Sequence, residues 1–418
     1  MHRVVGPISK HATTRPALPR MDAAVAEIGR DLAGRMGAVL DAIPGGPQHR
    51  PQQLARTLGV NVVLTSRLLK ATQSTDAMAV AHVIPGPEPL RRVLKAAERL
   101  EVDADALRAA SEAIDRFERL INADAGDRAA LDTMISAWLP DVREKLDLAS
   151  RQAVFKGMSH IRGYAAETGL TCAIIHPAQG PVVEGQACKF DRVTVMGRLG
   201  FRKLRAGVRP ALSTVSCSSA RGPVLTIDGD PVDEGHDIIL RDFSSNSLSD
   251  SLEIVRENDV IRYVLGGDRV GLRTAVDVAA AEYRPRSMGK STSKQYSVLF
   301  EWIDEPMRRL VFDVLLHKDV HPGVDPQLAI YHAGFNGLPV FLDPRYAPDL
   351  VPINASITPL GSGVQRFRVS SIPDYVPMLE HICHKLGWDP NAFRGFRLHV
   401  DYPLVGCVHM IGFELPKA

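Results

Sequence analysis

Between positions 53 and 70 the chain reads Gln53-Leu54-Ala55-Arg56-Thr57-Leu58-Gly59-Val60-Asn61-Val62-Val63-Leu64-Thr65-Ser66-Arg67-Leu68-Leu69-Lys70. The apolar spacing on either side of Gly59 predicts two short helices, Pro51 to Leu58 and Val62 to Ala71. Gly59 suits the turn between them because a residue without a Cβ enters the left-handed region at no steric cost. Ala55 supplies a small residue where the two helices cross, and Val60 and Leu68 hold the second against the first. Val62, Val63 and Leu64 form an apolar triplet on a helix that turns about 100° per residue, so at least one is expected to be exposed or covered by another chain. Thr65 stands at a position that ordinarily carries an apolar residue.

This arrangement resembles the helix-turn-helix of bacterial winged-helix transcriptional regulators, over residues 21 to 100. The resemblance implies that Ser66 and Arg67 face DNA, that Asn61 and Arg67 hydrogen-bond base edges, and that Val62 meets a thymine methyl. Arg50, Arg56, Arg67 and Lys70, with Arg91, Arg92 and Lys95 nearby, would then contact phosphates and release counterions, making binding to double-stranded DNA salt-dependent. A wing is implied from Thr75 to Pro85, with a short strand at Met78 to Ile84. Similar modules also serve as dimerisation domains of small-molecule methyltransferases, and such an enzyme is the alternative function.

Outward from this segment the pattern stays helical. Val25, Ile28, Leu32, Met36, Val39 and Leu40 mark a helix from Met21, ended by Pro44, Gly45, Gly46 and Pro47. Further helices are expected over Leu90 to Leu100, after an Asp103 cap with the apolar face Leu107, Ala110, Ile114, Phe117 and Ile121, and over Asp127 to Trp138. Another follows Pro140 and runs to about Arg162, where Leu146, Ala149, Ala153 and Val154 are candidates for a homodimer seam. Met1 to Arg20 has four Lys or Arg, three prolines and no acid, and reads as a flexible basic arm.

After Gly163 the period changes. Short β-branched or apolar runs at Cys172 to His176, Arg192 to Met196, Pro223 to Ile227, Asp237 to Leu240, Leu252 to Val255 and Ile261 to Leu265 predict strands. Tyr296 to Ile303 and Leu310 to Leu316 read as a hairpin around Asp304-Glu305-Pro306-Met307, and Phe396 to Val400 with His409 to Leu415 as closing strands. A helix from Tyr375 to Leu386, ended by Gly387, lies between. The expected fold class is α+β: a basic arm at 1–20, a winged helix-turn-helix at 21–100, a helical linker or dimerisation region at 101–162, and a strand-rich sensor or effector domain at 163–418.

Composition agrees with a folded chain of more than one domain, at 418 residues with 45% apolar and 23% charged residues. No run is apolar enough to cross a membrane and no secretory signal is visible, so a cytoplasmic location is expected. The five cysteines are widely spaced and form no Cys-x-x-Cys pair, which argues against a disulfide framework. Residues 1 to 100 carry fourteen Lys or Arg against seven Asp or Glu, whereas residues 101 to 150 carry six against twelve. The basic first hundred residues fit a polyanionic partner.

The second half offers weaker chemical signals. Gly266-Gly267-Asp268-Arg269-Val270-Gly271 follows a strand and precedes a segment, Leu272 to Glu282, that reads as a helix in the cofactor-loop alternative. Gly289-Lys290-Ser291-Thr292 lacks the first glycine of a phosphate loop. His317, His321 and His332, or His381, Cys383 and His384 with Cys407 and His409, are metal-ligand types that read better as structural residues. Arg198, Arg202, Lys203, Arg205 and Arg209 make a basic run that either extends a nucleic-acid surface, meets an acidic partner, or is a solvated strand and loop. No catalytic residue, cofactor or metal is assigned. The expected protein is a DNA-binding transcriptional regulator, homodimeric, with a C-terminal domain that senses a small-molecule effector or a partner.

Overall fold

The computed structural model describes residues 21–44, 50–179, 190–217, 223–287, 295–334 and 337–415. The basic arm at 1–20, Cys188 and Gly289-Lys290-Ser291-Thr292 lie outside the described residues. The chain divides into two compact units at Leu146/Asp147, and the α+β class expected from the sequence holds.

The N-terminal unit is helical: α1 (Met21–Ala42), α2 (Pro51–Leu58), α3 (Val62–Thr72), α4 (Ala77–Val83), α5 (Pro87–Glu98), α6 (Ala104–Arg119) and α7 (Arg128–Ser136), followed by α8 (Pro140–Arg162). Four starts are fixed by side-chain caps, since Asn61, Asp76, Asp103 and Asp127 each accept a hydrogen bond from a first-turn backbone N–H. The core closes around the α1 stripe of Val25, Leu32, Met36, Val39 and Leu40, which packs with Leu54, Leu68, Val80, Leu90, Ile114 and Phe117. Each such side chain contributes roughly 1.5–3 kcal/mol by leaving water.

The segment expected as a wing is instead α4, and no strand occurs at Met78 to Ile84. Two features select the helix. Asp76 accepts from Met78 N at 2.9 Å and Ala79 N at 3.3 Å, and Val80, Ala81 and Ile84 are buried. Gly29 lets α4 approach α1 closely, because a Cβ there would collide with the Ala77 carbonyl oxygen.

Among the described residues the C-terminal unit holds three sheets. Its described strands are β1 (Tyr164–Pro177), β2 (Phe190–Lys203), β3 (Ala211–Ser216), β4 (Leu252–Glu257), β5 (Val260–Leu265), β6 (Val276–Arg284), β7 (Tyr296–Trp302), β8 (Met307–His317), β9 (Gln327–His332), β10 (Ile357–Ser362), β11 (Phe393–Asp401) and β12 (Cys407–Glu414), and its described α-helices are the part of α8 from Asp147 onward and α9 (Tyr375–Leu386). A six-stranded sheet runs β10-β11-β8-β1-β2-β6, and three-stranded sheets run β7-β12-β9 and β3-β5-β4. Only β1 and β8 pair in parallel within the large sheet. One of its faces packs on α9 through Leu170, Ile174, Leu315, Leu379 and Ile382. The opposite face shares a core with the small sheets through Ile175, Phe312, Tyr263, Leu299 and Ile411.

Several expectations change here. β7 and β8 do not form a hairpin: β7 pairs with β12, while β8 lies between β1 and β11. The continuous burial of Leu310 to Leu316 explains this, because a strand apolar on both faces belongs inside a covered sheet. Leu272 to Glu282 is a single 3-10 turn followed by β6, so the strand-loop-helix context of a cofactor loop is absent at Gly266 to Gly271. Pro223 to Ile227 and Asp237 to Leu240 contribute only isolated bridges.

Candidate functional site

In the helix-turn-helix pair, Gly59 takes φ 67° at the C-terminus of α2, as its place in the turn requires. Thr65 is fully buried, and its hydroxyl donates to Pro51 O at 2.8 Å. That bond joins the start of α2 to α3 and removes the cost of burying a hydroxyl at an apolar position. Val62 and Val63 are 44% and 66% exposed, so two of the three residues in the apolar triplet face outward. Arg50, Arg56, Asn61, Ser66, Arg67 and Lys70 are exposed as well.

Two of the residues expected to read bases are held elsewhere. Asn61 Oδ1 accepts from Val63 N at 2.7 Å and caps α3. Arg67 Nε donates to Val83 O at 3.0 Å and its Nη2 to Ile84 O at 3.4 Å. Arg128 Nη2 supports the same helix end, donating to His82 O at 2.6 Å and Ala81 O at 3.0 Å. Two guanidiniums thus satisfy the last carbonyls of α4 and complement its dipole. Arg67→Ala should lower the stability of the N-terminal unit by about 1 kcal/mol, read by urea unfolding; an unchanged midpoint would show that the contact is inert. Arg91 is also engaged, bound to Glu118 at 2.5 Å and Asp115 at 2.8 Å. What remains outward on α3 is Val62, Val63, Ser66, Lys70 and Gln73, beside a groove lined by Pro51, Ser66, Lys70 and Gln73.

The basic run of the C-terminal unit does not form an open cationic surface. Arg198 pairs with Glu305, Arg202 with Glu167 at 2.7 Å and Arg209 with Glu253. Lys203 Nζ, nearly buried, donates to the carbonyls of Val208, Gly266 and Gly267, and Arg205 donates to Ile161 O at 3.2 Å. Gly266 and Gly267 therefore hold a lysine. Among the described residues no three His, Cys, Asp or Glu side chains are grouped as metal ligands.

Two buried polar clusters do emerge. On the α9 face, Cys172, Asp313 and Arg397 stand side by side on β1, β8 and β11. Asp313 is fully buried, accepts both arms of Arg397 at 2.9 and 2.7 Å, and accepts the Tyr375 hydroxyl at 2.8 Å. Burial pushes the Asp313 carboxyl and the Cys172 thiol above their usual ranges. The pairing is complete, which marks it as a structural fastening of α9 to the sheet.

The second cluster lies in the layer between the large sheet and the β7-β12-β9 sheet. Arg198 on β2 binds Glu305, and its Nη2 lies 3.9 Å from Glu301 on β7. Glu301 is the cross-strand partner of His409 on β12. Burial raises the Glu301 carboxyl to about 7, opposed by Arg198, and raises Glu305 as well. His409 is fully buried, and burial together with Arg151 lowers it to about 4. Unsatisfied buried atoms concentrate here: Glu305 Oε2, both ring nitrogens of His409 and Arg151 Nε have no hydrogen-bond partner. Sequence reasoning misses this group because its members come from five separated segments. The visible signals are Glu305 following an apolar strand and His409 at an inward position of another.

No protein family and no curated protein matches the chain. Among solved structures, a "putative protease" from Parabacteroides distasonis aligns over 61% of this chain and 41% of its own, at 6% identity with a TM-score of 0.28. This chain therefore spans less than half the length of that protein, and a score that low supports no inference about fold or activity.

Proposed function

We propose that the protein is a DNA-binding transcriptional regulator that acts as a homodimer, with α3 as the helix that enters the major groove and the C-terminal unit as a sensor of a small molecule. The observation that carries this reading is the outward face of α3. Val62, Val63, Ser66, Lys70 and Gln73 are available on it, and no Asp or Glu occurs between Asp41 and Asp76. Arg50, Arg56 and Lys70 supply the phosphate contacts, Ser66 the polar contact to a base edge, and Val62 a surface for a thymine methyl. Exposed apolar side chains on α8, Leu148, Val154 and Ile161, support a self-association surface.

The test is fluorescence anisotropy with duplex DNA from upstream of the gene, at two salt concentrations. Affinity should fall steeply with salt. Lys70→Ala should weaken specific and random duplexes alike and reduce the salt slope by about 1, whereas Val62→Ser should change sequence preference and leave the oligomer intact. A Val62→Ser chain that dissociates in light scattering, with no DNA binding by the parent, would replace this reading with protein-protein docking of α3.

A further inference from the structure

Three segments of the C-terminal unit meet where α8 ends. Leu204 N and Arg205 N donate to Gly163 O at 2.7 and 3.2 Å, which joins the end of β2 to the end of α8. Gly271 N donates to Lys203 O at 2.9 Å, and Lys203 Nζ donates to the carbonyls of Gly266 and Gly267, so the loop before β6 is strapped to the same strand end. Gly163 takes φ 75° and lets the segments close up, since a Cβ there would meet Val208 Cγ1 at 2.9 Å and the Arg205 side chain at 3.3 Å. The three segments are therefore held edge to edge, with hydrogen-bonded backbones about 5 Å apart.

Together they present four aliphatic side chains, each next to an arginine in the chain: Ile161-Arg162, Leu204-Arg205, Arg269-Val270 and Leu272-Arg273, all exposed. Leu272, at 72%, and Ile161, at 70%, are the two most exposed large apolar side chains among the described residues. Their backbones are fixed. Leu272 opens a 3-10 turn in which Ala275 N donates to Leu272 O at 3.2 Å and the Thr274 hydroxyl to Gly271 O at 3.0 Å, and Arg205 Nη2 donates to Ile161 O at 3.2 Å. Exposed apolar groups gathered on ordered backbone mark an interaction surface.

Charge decides what covers it. Arg162 and Arg205 each use one guanidinium nitrogen on a carbonyl, Asp304 O and Ile161 O, and keep further N–H groups for a phosphate. The acid within these segments, Asp268, lies near the Lys203 ammonium; Glu253, against Gly266, pairs with Arg209. Asp304, beside Arg162, adds one exposed acid against the four arginines. A surface aliphatic at its tips and cationic around them matches an anionic bilayer, where the tips enter the boundary between headgroups and acyl chains and the guanidiniums stay with the phosphates. A nucleic acid would engage the arginines and leave the aliphatic tips in water. Protein interfaces favour aromatic anchors, and residues 161–163, 203–205 and 266–273 contain none.

We propose that this end of the C-terminal unit docks on an anionic lipid bilayer, with Ile161, Leu204, Val270 and Leu272 inserted and the four arginines against lipid phosphates. The docking does not depend on α3 entering DNA.

The experiment is cosedimentation of the full chain with vesicles of phosphatidylcholine alone and of phosphatidylcholine with about one third phosphatidylglycerol. The chain should partition about tenfold or more strongly onto the anionic vesicles, and salt at about 0.5 M should weaken that binding. Leu272→Ser should lower partitioning about tenfold, and Arg269→Ala combined with Arg273→Ala about twentyfold. Both variants lie at exposed positions and should keep the parent's urea midpoint and any affinity for duplex DNA. No binding to anionic vesicles, equal binding to both vesicle types, or variants that partition as the parent does would overturn the proposal. Variants that lose duplex DNA while keeping vesicles would also overturn it and assign these segments to nucleic acid.

Discussion

Replacing Glu301 with Gln should make stability fall by about 2 kcal/mol more than the parent's between pH 7 and pH 5. In the parent, two neighbouring titrations oppose each other across this window. Glu301 is raised from 4.5 to about 7, so its contribution is full below 4.5 and is lost as pH rises through 7. His409 is lowered from 6.5 to about 4, so its contribution is present above 6.5 and is lost as pH falls toward 4. The two groups are cross-strand partners on one buried face. Glu301→Gln removes the first titration and exposes the second; His409→Phe should do the reverse, gaining about 2 kcal/mol relative to the parent over the same fall in pH. Urea unfolding of a Trp138→Phe background, followed by the fluorescence of Trp302 and Trp388 in the C-terminal unit, reads both. Parallel profiles for parent and variants would show that these groups do not titrate as their burial requires.

Arg397→Met should destabilise the C-terminal unit by about 3–5 kcal/mol, because it strands the fully buried Asp313 carboxylate with only the Tyr375 hydroxyl for a partner. Adding Asp313→Leu should recover most of the loss and bring the double variant to within about 2 kcal/mol of the parent, since well-packed apolar residues substitute for a buried pair. The remaining deficit is the Tyr375 hydroxyl, left without its acceptor, and the Phe367 and Arg368 carbonyls, left without the Arg397 donors. A double variant no more stable than Arg397→Met alone would mean that the ion pair is needed to seat α9 and not merely to neutralise Asp313.

The helical half was legible because its information is local. Helix periods, the Gly59 turn and the aspartate caps all fall within a few residues of the structure they specify, and α2, α3, α6 and α8 sit where the sequence places them. The wing failed for a non-local reason: Gly29, some fifty residues upstream of α4, creates the space that α4 fills. The bonds of Arg67 to Val83 O and Ile84 O were hidden in the same way, since the carbonyls it caps are exposed as a helix end only if Met78 to Ile84 is helical. In the C-terminal half the strand-like runs were visible but their partners were not, because β1 finds β8 across more than a hundred intervening residues. The Glu301–His409 layer depends on that pairing and was therefore hidden.

The parallel contact between β1 and β8 also sets an order of events at the ribosome. α1 through α7 close a core from neighbouring segments, so the N-terminal unit can complete itself while downstream chain is still being made. The C-terminal unit has no such option. β1 waits for β8, and the middle strand of the β7-β12-β9 sheet is β12, the last to emerge. Until Cys407–Glu414 arrives, β7 and β9 present unpaired edges to any passing strand. A nascent or truncated chain ending before β12 should consequently be a client for chaperones, with a folded N-terminal unit tethered to an adhesive, half-built sheet.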